Sequence, residues 1–437
     1  MMKRFLFLCL VPAALVGLVP SSVIAQTAQQ LAFAGLLSSG HQGQFNGVQT
    51  DASGNLYLLL DQKDGVRVLK TDAAATTALA QAHIGAHGDI GIALCLDPAG
   101  NVYVTGTTTS GSLAGTSGTA FPSVADTSTN SFVAKFDSNL NTLFVTFAGS
   151  GRTAASAIAA TSDAVFIAGS TFTNTIPVTP SGIQQSPASS SFQNGFVERF
   201  NSTGTTLVYA TYLTGLNGDT APAAIVADSS DNAYVAGYTT STGYPTLSAV
   251  VPSILSNPSG FLTKLTPAGD GIVFSTFVPG DGITSLAIDT ASQNLLLSGT
   301  IALGKFPVVS VSAPVANTAY QSLIRMPLDG STVLSSTLLA PGSQSTITPA
   351  ADGNAWVAQA LSTPLLPTGA LSTIGGSALL RVNAQSAIDQ AARFGGLPTT
   401  NPGYASVPVS LISLAEDSAG QPIAAGTVSP TASSSLL

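Results

Sequence analysis

Apolar and polar residues alternate along this chain in short runs, and each run ends at a turn rich in Gly, Asp, Asn or Pro. One phrase returns at intervals of roughly 60 residues: a turn, then Asn or a stand-in, then a large apolar or aromatic residue two places on. It reads Gly54-Asn55-Leu56-Tyr57, Gly100-Asn101-Val102-Tyr103, Asp163-Ala164-Val165-Phe166 and Asp231-Asn232-Ala233-Tyr234. It continues as Gln293-Asn294-Leu295-Leu296, Gly353-Asn354-Ala355-Trp356 and Gly420-Gln421-Pro422-Ile423. In most copies a glycine stands three places further on, as Gly106, Gly169, Gly237, Gly299 and Gly426. Alternation with period two puts side chains on opposite faces of a strand, so each phrase reads as a turn feeding a strand.

The other elements recur in fixed order around the phrase. An apolar strand precedes it, as in Ile90-Gly91-Ile92-Ala93-Leu94-Cys95-Leu96. After a variable loop comes a third strand with a cation at its fourth residue, as in Phe132-Val133-Ala134-Lys135, Phe196-Val197-Glu198-Arg199 and Phe261-Leu262-Thr263-Lys264; Lys70, Arg325 and Arg381 fill the same slot. A short turn leads to a fourth strand such as Leu207-Val208-Tyr209-Ala210-Thr211-Tyr212-Leu213. Four antiparallel strands per unit and seven units predict an all-β fold, a seven-bladed β-propeller. Leu31-Ala32-Phe33-Ala34-Gly35 resembles a fourth strand, while residues 411–414, 421–426 and 433–437 resemble a first, a second and the start of a third. The expectation is a shared last blade, closed by an N-terminal strand that removes its open edges.

These residues resemble the bacterial SBBP β-propeller repeats. The resemblance rests on Asp97-Pro98-Ala99-Gly100-Asn101-Val102-Tyr103-Val104-Thr105-Gly106, a Phe-Pro pair, Phe132-Val133-Ala134-Lys135, and a strand ending like Ala210-Thr211-Tyr212-Leu213. It implies a propeller and an extracytoplasmic setting, and it brings no catalytic residues.

The first residues agree with that setting. Lys3 and Arg4, an apolar run over 5–19 and Val23-Ile24-Ala25 follow the plan of a signal peptide cleaved after Ala25, which leaves 26–437 as one domain. The apolar run, broken by Pro12 and Pro20, is too short for a membrane span, and the mature chain is expected to have none. Cys9 leaves with the leader and Cys95 stays alone, so packing rather than disulfides must hold the fold; Cys95 is expected to be a small buried apolar residue. Loss of Lys3 and Arg4 lowers the basic count from 13 to 11 against 21 acids, a net charge of about −10, which argues against nucleic acid or an anionic membrane as partner.

The two faces of such a propeller differ here. One receives tight turns; the other receives connections over 107–130, 170–193, 238–259, 301–321 and 361–376, and long loops on a rigid scaffold are the usual place for binding. Apolar-Pro pairs in them (Phe121-Pro122, Ile176-Pro177, Tyr244-Pro245, Phe306-Pro307, Leu366-Pro367) read as framework that anchors each loop to its blade. The first and seventh repeats lack the long loop, which predicts a notch in the rim.

His41 and His87 each stand ten residues before a repeat Asp, in loops expected beside the central channel. With Asp89, Arg152, Asp219 and Asp281 they form the candidate ligand site, for a divalent metal or a polar ligand. The cations of strand three recur once per repeat and read as structural, with heads meeting turn acids. Glu198 and Glu416 are the only glutamates, and no nucleophile elbow, His-Glu-x-x-His or phosphate-binding Gly-Lys-Ser/Thr motif occurs. Three classes remain open: a non-enzymatic binder of a protein or glycan, a metal-assisted lyase or hydrolase at the channel mouth, and a structural surface or matrix component.

Overall fold

The computed structural model describes residues 5–10, 33–37, 44–124, 128–149, 151–302, 305–306, 320–339, 345–361, 376–394, 409–417 and 420–428. Strands β1 (Phe5–Leu10) and β2 (Phe33–Leu37) precede six antiparallel four-stranded blades, each made of consecutive strands. The first blade is β3 (Gln44–Thr50), β4 (Leu56–Gln62), β5 (Gly65–Thr71) and β6 (Ala78–Ile84); the second is β7 (Ile90–Leu96), β8 (Val102–Thr108), β9 (Asn130–Phe136) and β10 (Thr142–Ala148). The third is β11 (Thr153–Ala160), β12 (Ala164–Thr171), β13 (Asn194–Asn201) and β14 (Leu207–Leu213). The fourth is β15 (Thr220–Ala227), β16 (Ala233–Thr239), β17 (Ser259–Leu265) and β18 (Ile272–Val278). The fifth comprises β19 (Gly282–Asp289), β20 (Asn294–Ile301), β21 (Tyr320–Pro327) and β22 (Ser335–Leu338), and the sixth β23 (Ser345–Pro349), β24 (Ala355–Leu361), β25 (Gly376–Val382) and β26 (Ile388–Phe394).

The expected count of seven blades is therefore corrected to six. The seventh phrase lies in β28 (Pro422–Val428), which pairs with β27 (Val409–Glu416). The expected third-strand segment, 433–437, lies outside the described residues. Strands β1 and β2 complete a composite sheet in the order β2-β1-β28-β27, with Phe5 opposite Val428 and Leu10 opposite Ile423. An N-terminal strand is thus outermost in the sheet that holds the chain's last strands, as expected, although it begins at Phe33. The inner strand β27 packs between β23 and β3, and Ser413 Oγ accepts the Val48 amide at 3.1 Å.

Two local rules explain the repeat. The first concerns the glycine after each phrase. Strand one carries a bulge opposite it, as between Ala155 and Ala157 opposite Gly169, and between Pro222 and Ala224 opposite Gly237. The bulge brings the strand-one carbonyl inward, so a Cβ on Gly169 would lie 2.3 Å from the Ala154 oxygen and one on Gly237 2.1 Å from the Ala221 oxygen. Only glycine fits there.

The second rule is a latch between blades. In the second blade Asp97 caps its turn by accepting the Ala99 and Asn101 amides, and its outer oxygen meets the Asn101 side chain and the Tyr103 hydroxyl. Lys135 lies 3.9 Å from that carboxylate, stands over the Tyr103 ring, and donates to the Ser202 carbonyl of the third blade at 3.0 Å. Lys70 reaches Ser138, Arg199 reaches Pro267, Lys264 reaches Leu328, and Arg325 reaches Val382 in the same way. These cations are structural, and the turn acids meet their heads.

The long connections depart from the expected rim. In the second, third and fourth blades they leave the loop-bearing face and then run along the outer strand of their own blade. Val145 and Phe147 of β10 donate to Gly115 and Phe121; Tyr212 of β14 donates to Gln184; Ser275 and Phe277 of β18 donate to Leu247 and Val251. An outer strand presents unpaired amides and carbonyls, and these segments satisfy them. The apolar-Pro pairs fix the segments: Ile176, Tyr244 and Phe306 are buried, and Phe121 packs edge-on against Phe200. Leu366-Pro367 lies outside the described residues.

Candidate functional site

The loop-bearing face is formed by the connections from strand four to the next strand one and from strand two to strand three. Its predicted ligand residues have separate occupations. Asp89 is buried and accepts the Ala86 amide at 2.8 Å, which closes the tight turn before β7. His87, two residues earlier, is exposed. Asp219 accepts the Gln193 amide at 2.8 Å, which ties the β14–β15 connection to the start of β13. Arg152 has a left-handed backbone (φ 58°) and lays its guanidinium 5.4 Å from the centre of the Phe172 ring. Asp281 is exposed between Gly280 and Gly282. His41 lies outside the described residues. Among the described residues, no three His, Cys, Asp or Glu side chains gather as a metal-binding group.

What this face does present is apolar surface. Leu216, in the β14–β15 connection, is 83% exposed, and Ile90, Phe172 and Leu255 are exposed at strand ends or loops on the same side. Sequence reasoning weighed the polar groups and the apolar-Pro pairs there and passed over Leu216, because a single leucine in Thr214-Gly215-Leu216-Asn217-Gly218 gives no periodic signal.

Sequence reasoning also missed two acids. Asp61 ends β4, where its carboxylate accepts the Gly91 amide and the Asn46 side chain, each at 2.7 Å; burial pushes its pKa up, against those two bonds. The group joins the first blade to the second. Glu198 alternates with Arg199 along β13 and so faces the opposite way, into the cluster of Tyr103, Val133, Phe196, Phe200 and Tyr212 between the second and third blades. It is fully buried, neither carboxylate oxygen meets a hydrogen-bond donor, and burial pushes its pKa up to about 8.

The third repeat breaks the latch pattern in an informative way. Its turn is Thr161-Ser162-Asp163, with no acid in the capping place. Asp231 of the fourth blade replaces it, pairing with Arg199 and accepting the Thr161 hydroxyl at 2.7 Å. Cys95 is half-buried rather than fully buried, beside the same cluster as Glu198; burial pushes its thiol up, with a further contribution from Asp97.

Among the described residues no helix is long and apolar enough to cross a membrane. No curated protein matches the sequence. Among solved structures, one titled "Crystal Structure of Mitotic Checkpoint Complex" aligns over 88% of this chain and 86% of its own, at 8% identity and a TM-score of 0.46. One titled "Kuenenia stuttgartiensis Hydrazine Synthase" aligns over 76% and 72%, at 11% identity and a TM-score of 0.42. Residues 208–245, from β14 through the apolar-Pro pair of the fourth blade, match the SBBP family model, described as a beta-propeller repeat, in keeping with the resemblance carried by the sequence.

Proposed function

We propose that this chain is an exported, non-enzymatic β-propeller that binds a protein or surface glycan through its loop-bearing face. The observation that carries the reading is the exposed apolar set on that face, above all Leu216 at 83% exposure. Exposed apolar groups on a rigid, low-charge rim favour contact with aromatic or aliphatic protein side chains, or with the apolar faces of sugar rings. Export supplies the setting: cleavage after Ala25 would remove β1 from the composite sheet.

The test compares the parent with Leu216→Ser and Phe172→Ser for retention on envelope fractions and on a glycan array. Loss of retention in both variants, at unchanged melting temperature, supports the reading. Equal retention of all three proteins refutes it. N-terminal sequencing of the exported product checks the cleavage site, and a start other than Gln26 would move it.

A further inference from the structure

The outer strand of the first blade differs from its counterparts. In the second, third and fourth blades a connection of many residues returns along the outer strand and pairs with it. In the first blade β4 and β5 are joined by Lys63 and Asp64 alone, so no segment is available to return. The register identifies the affected groups. His83 stands opposite Arg67 as Phe147 stands opposite Phe132, Tyr212 opposite Phe196 and Phe277 opposite Phe261. Gln81 corresponds in the same way to Val145, Ala210 and Ser275. The backbone groups of Gln81 and His83 therefore point away from the blade, and among the described residues none pairs with them. Both residues are exposed. The rest of the strand is Ala78, Leu79, Ala80, Ala82 and Ile84, without a charge.

The three covered edges specify what fits. Their covering segments, 109–124, 172–192 and 240–258, contain no charged residue and are rich in Ser, Thr, Gly and Pro. Each offers a carbonyl to the outward amide at the His83-equivalent position, from Phe121, Gln184 and Val251. Leu247 additionally exchanges both bonds with Ser275, and Thr179 donates its amide to Ala210. We propose that β6 is a strand-acceptor edge, which binds an extended, uncharged, Ser/Thr/Pro-rich segment of another polypeptide by backbone pairing at Gln81 and His83. This is strand addition to an open sheet edge, with the protein's own loops as its template. The site lies on the outer circumference and is independent of the loop-face reading above.

Backbone hydrogen exchange of the full chain tests it, with a synthetic peptide of residues 243–253 as the probe. In the free protein the Gln81 and His83 amides should exchange quickly, while those of Val145, Phe147, Ser275 and Phe277 are protected. At peptide about ninefold above its dissociation constant, exchange at Gln81 and His83 should slow about tenfold. A peptide N-methylated at the Leu247 position, which removes a donor from the pairing edge, should lose the effect without any change to the protein. His83→Pro should lose it too, since it deletes an outward amide and leaves the bonds to β5 intact. Three results would overturn the proposal: protection of both amides in the free chain at every concentration, no slowing with saturating peptide, or protection that rises with protein concentration alone, which would assign the edge to a second copy.

Discussion

Replacing Glu198 by glutamine should remove a pH-dependent loss of stability, and its size follows from the burial of the side chain. The positions equivalent to Glu198 in the register are Leu69, Ala134, Thr263, Ile324 and Leu380. The polar one, Thr263, is satisfied by the Tyr244 hydroxyl and the Ser275 hydroxyl, each at 2.8 Å. Glu198 has no such partner, and its neighbour Arg199 is turned away toward Asp231. The titratable groups on its own side are Tyr103, Tyr212 and the adjoining Cys95, each pushed up by burial, so the carboxyl loses its proton without a nearby group changing charge. Burial moves the carboxyl from 4.5 to about 8. At about 1.4 kcal/mol per pH unit, the whole window corresponds to about 5 kcal/mol.

The sign follows from proton binding. Between pH 4.5 and about 8 the folded chain holds a proton that the unfolded chain has released, so stability falls as pH rises through this window. Below it both states are protonated and Glu198 has no pH-dependent effect. Above it the full cost of a buried carboxylate is present. Urea unfolding of parent and Glu198→Gln, at several pH values, measures the difference directly. The two proteins should be nearly equal at about pH 4, and the variant should be more stable by several kcal/mol at about pH 9. A difference that stays constant across the range would refute the reasoning, because it would mean that the side chain titrates alike in both states.

Other substitutions probe the repeat itself. Gly169→Ala should destabilise by about 1–3 kcal/mol in urea unfolding, since its Cβ would press on the Ala154 carbonyl, whereas Gly353→Ala meets nothing within 4 Å and should show only the smaller strain of its positive φ. Lys135→Met keeps the stem over Tyr103 but removes the donor to the Ser202 carbonyl and the counter-charge of the buried Asp97, at a cost of about 1–3 kcal/mol; Tyr103→Phe in the same chain should add less than its separate effect, because both side chains meet Asp97. Asp231→Asn should cost more than Asp163→Asn in thermal unfolding, since Asp231 alone holds both Arg199 and Thr161. For Asp228, burial acts to raise the carboxyl, yet the Asn232 side chain and amide and the Lys264 charge outweigh it and hold it below its usual range. Its contribution is therefore present above the ordinary carboxylate pKa and lost as pH falls through the folded value, and Asn232→Ala should flatten the acid limb of the stability curve.

How much of this was legible depended on whether a feature is local. The strand order and the cation slot were readable because turn chemistry and period-two alternation are encoded within a few residues, as in Asp97 to Tyr103. The role of the cations was readable from their spacing, but the Ser202 or Pro267 carbonyl at the far end of each latch was not, because it belongs to the next repeat. The count of blades failed at the seventh phrase for a related reason: β27 and β28 carry the local pattern, and their sheet is completed from more than 370 residues away in sequence, at Phe33–Leu37 and Phe5–Leu10. The candidate site was least legible. Asp89 and Asp219 are polar residues beside the expected channel, but a sequence does not reveal that Ala86 and Gln193 already donate to them.

The latches also give the ring a direction. Each cation from the first blade to the fifth reaches forward to a carbonyl in or at the start of the following blade's outer turn. In the sixth, Arg381 pairs with Asp352 and Asp389, both in its own blade, and the outer turn of the composite sheet lies outside the described residues. Asp389 occupies the outer-strand bulge where Leu79, Leu143, Val208 and Val273 stand in the first four blades. A charge at that place gives Arg381 a second partner within its own blade. Among the described residues, the composite sheet meets its neighbours through the Ala351 amide on Glu416, the Thr50 hydroxyl on the Glu416 carbonyl, the Ser413–Val48 bond, and the apolar packing of Phe45, Val48, Leu56 and Leu58 against Ala415, Ile423 and Ala425. Glu416 thus serves both sides of the composite sheet, and burial pushes its carboxyl up, so the same residue that joins the ends is the one least suited to carry its charge there.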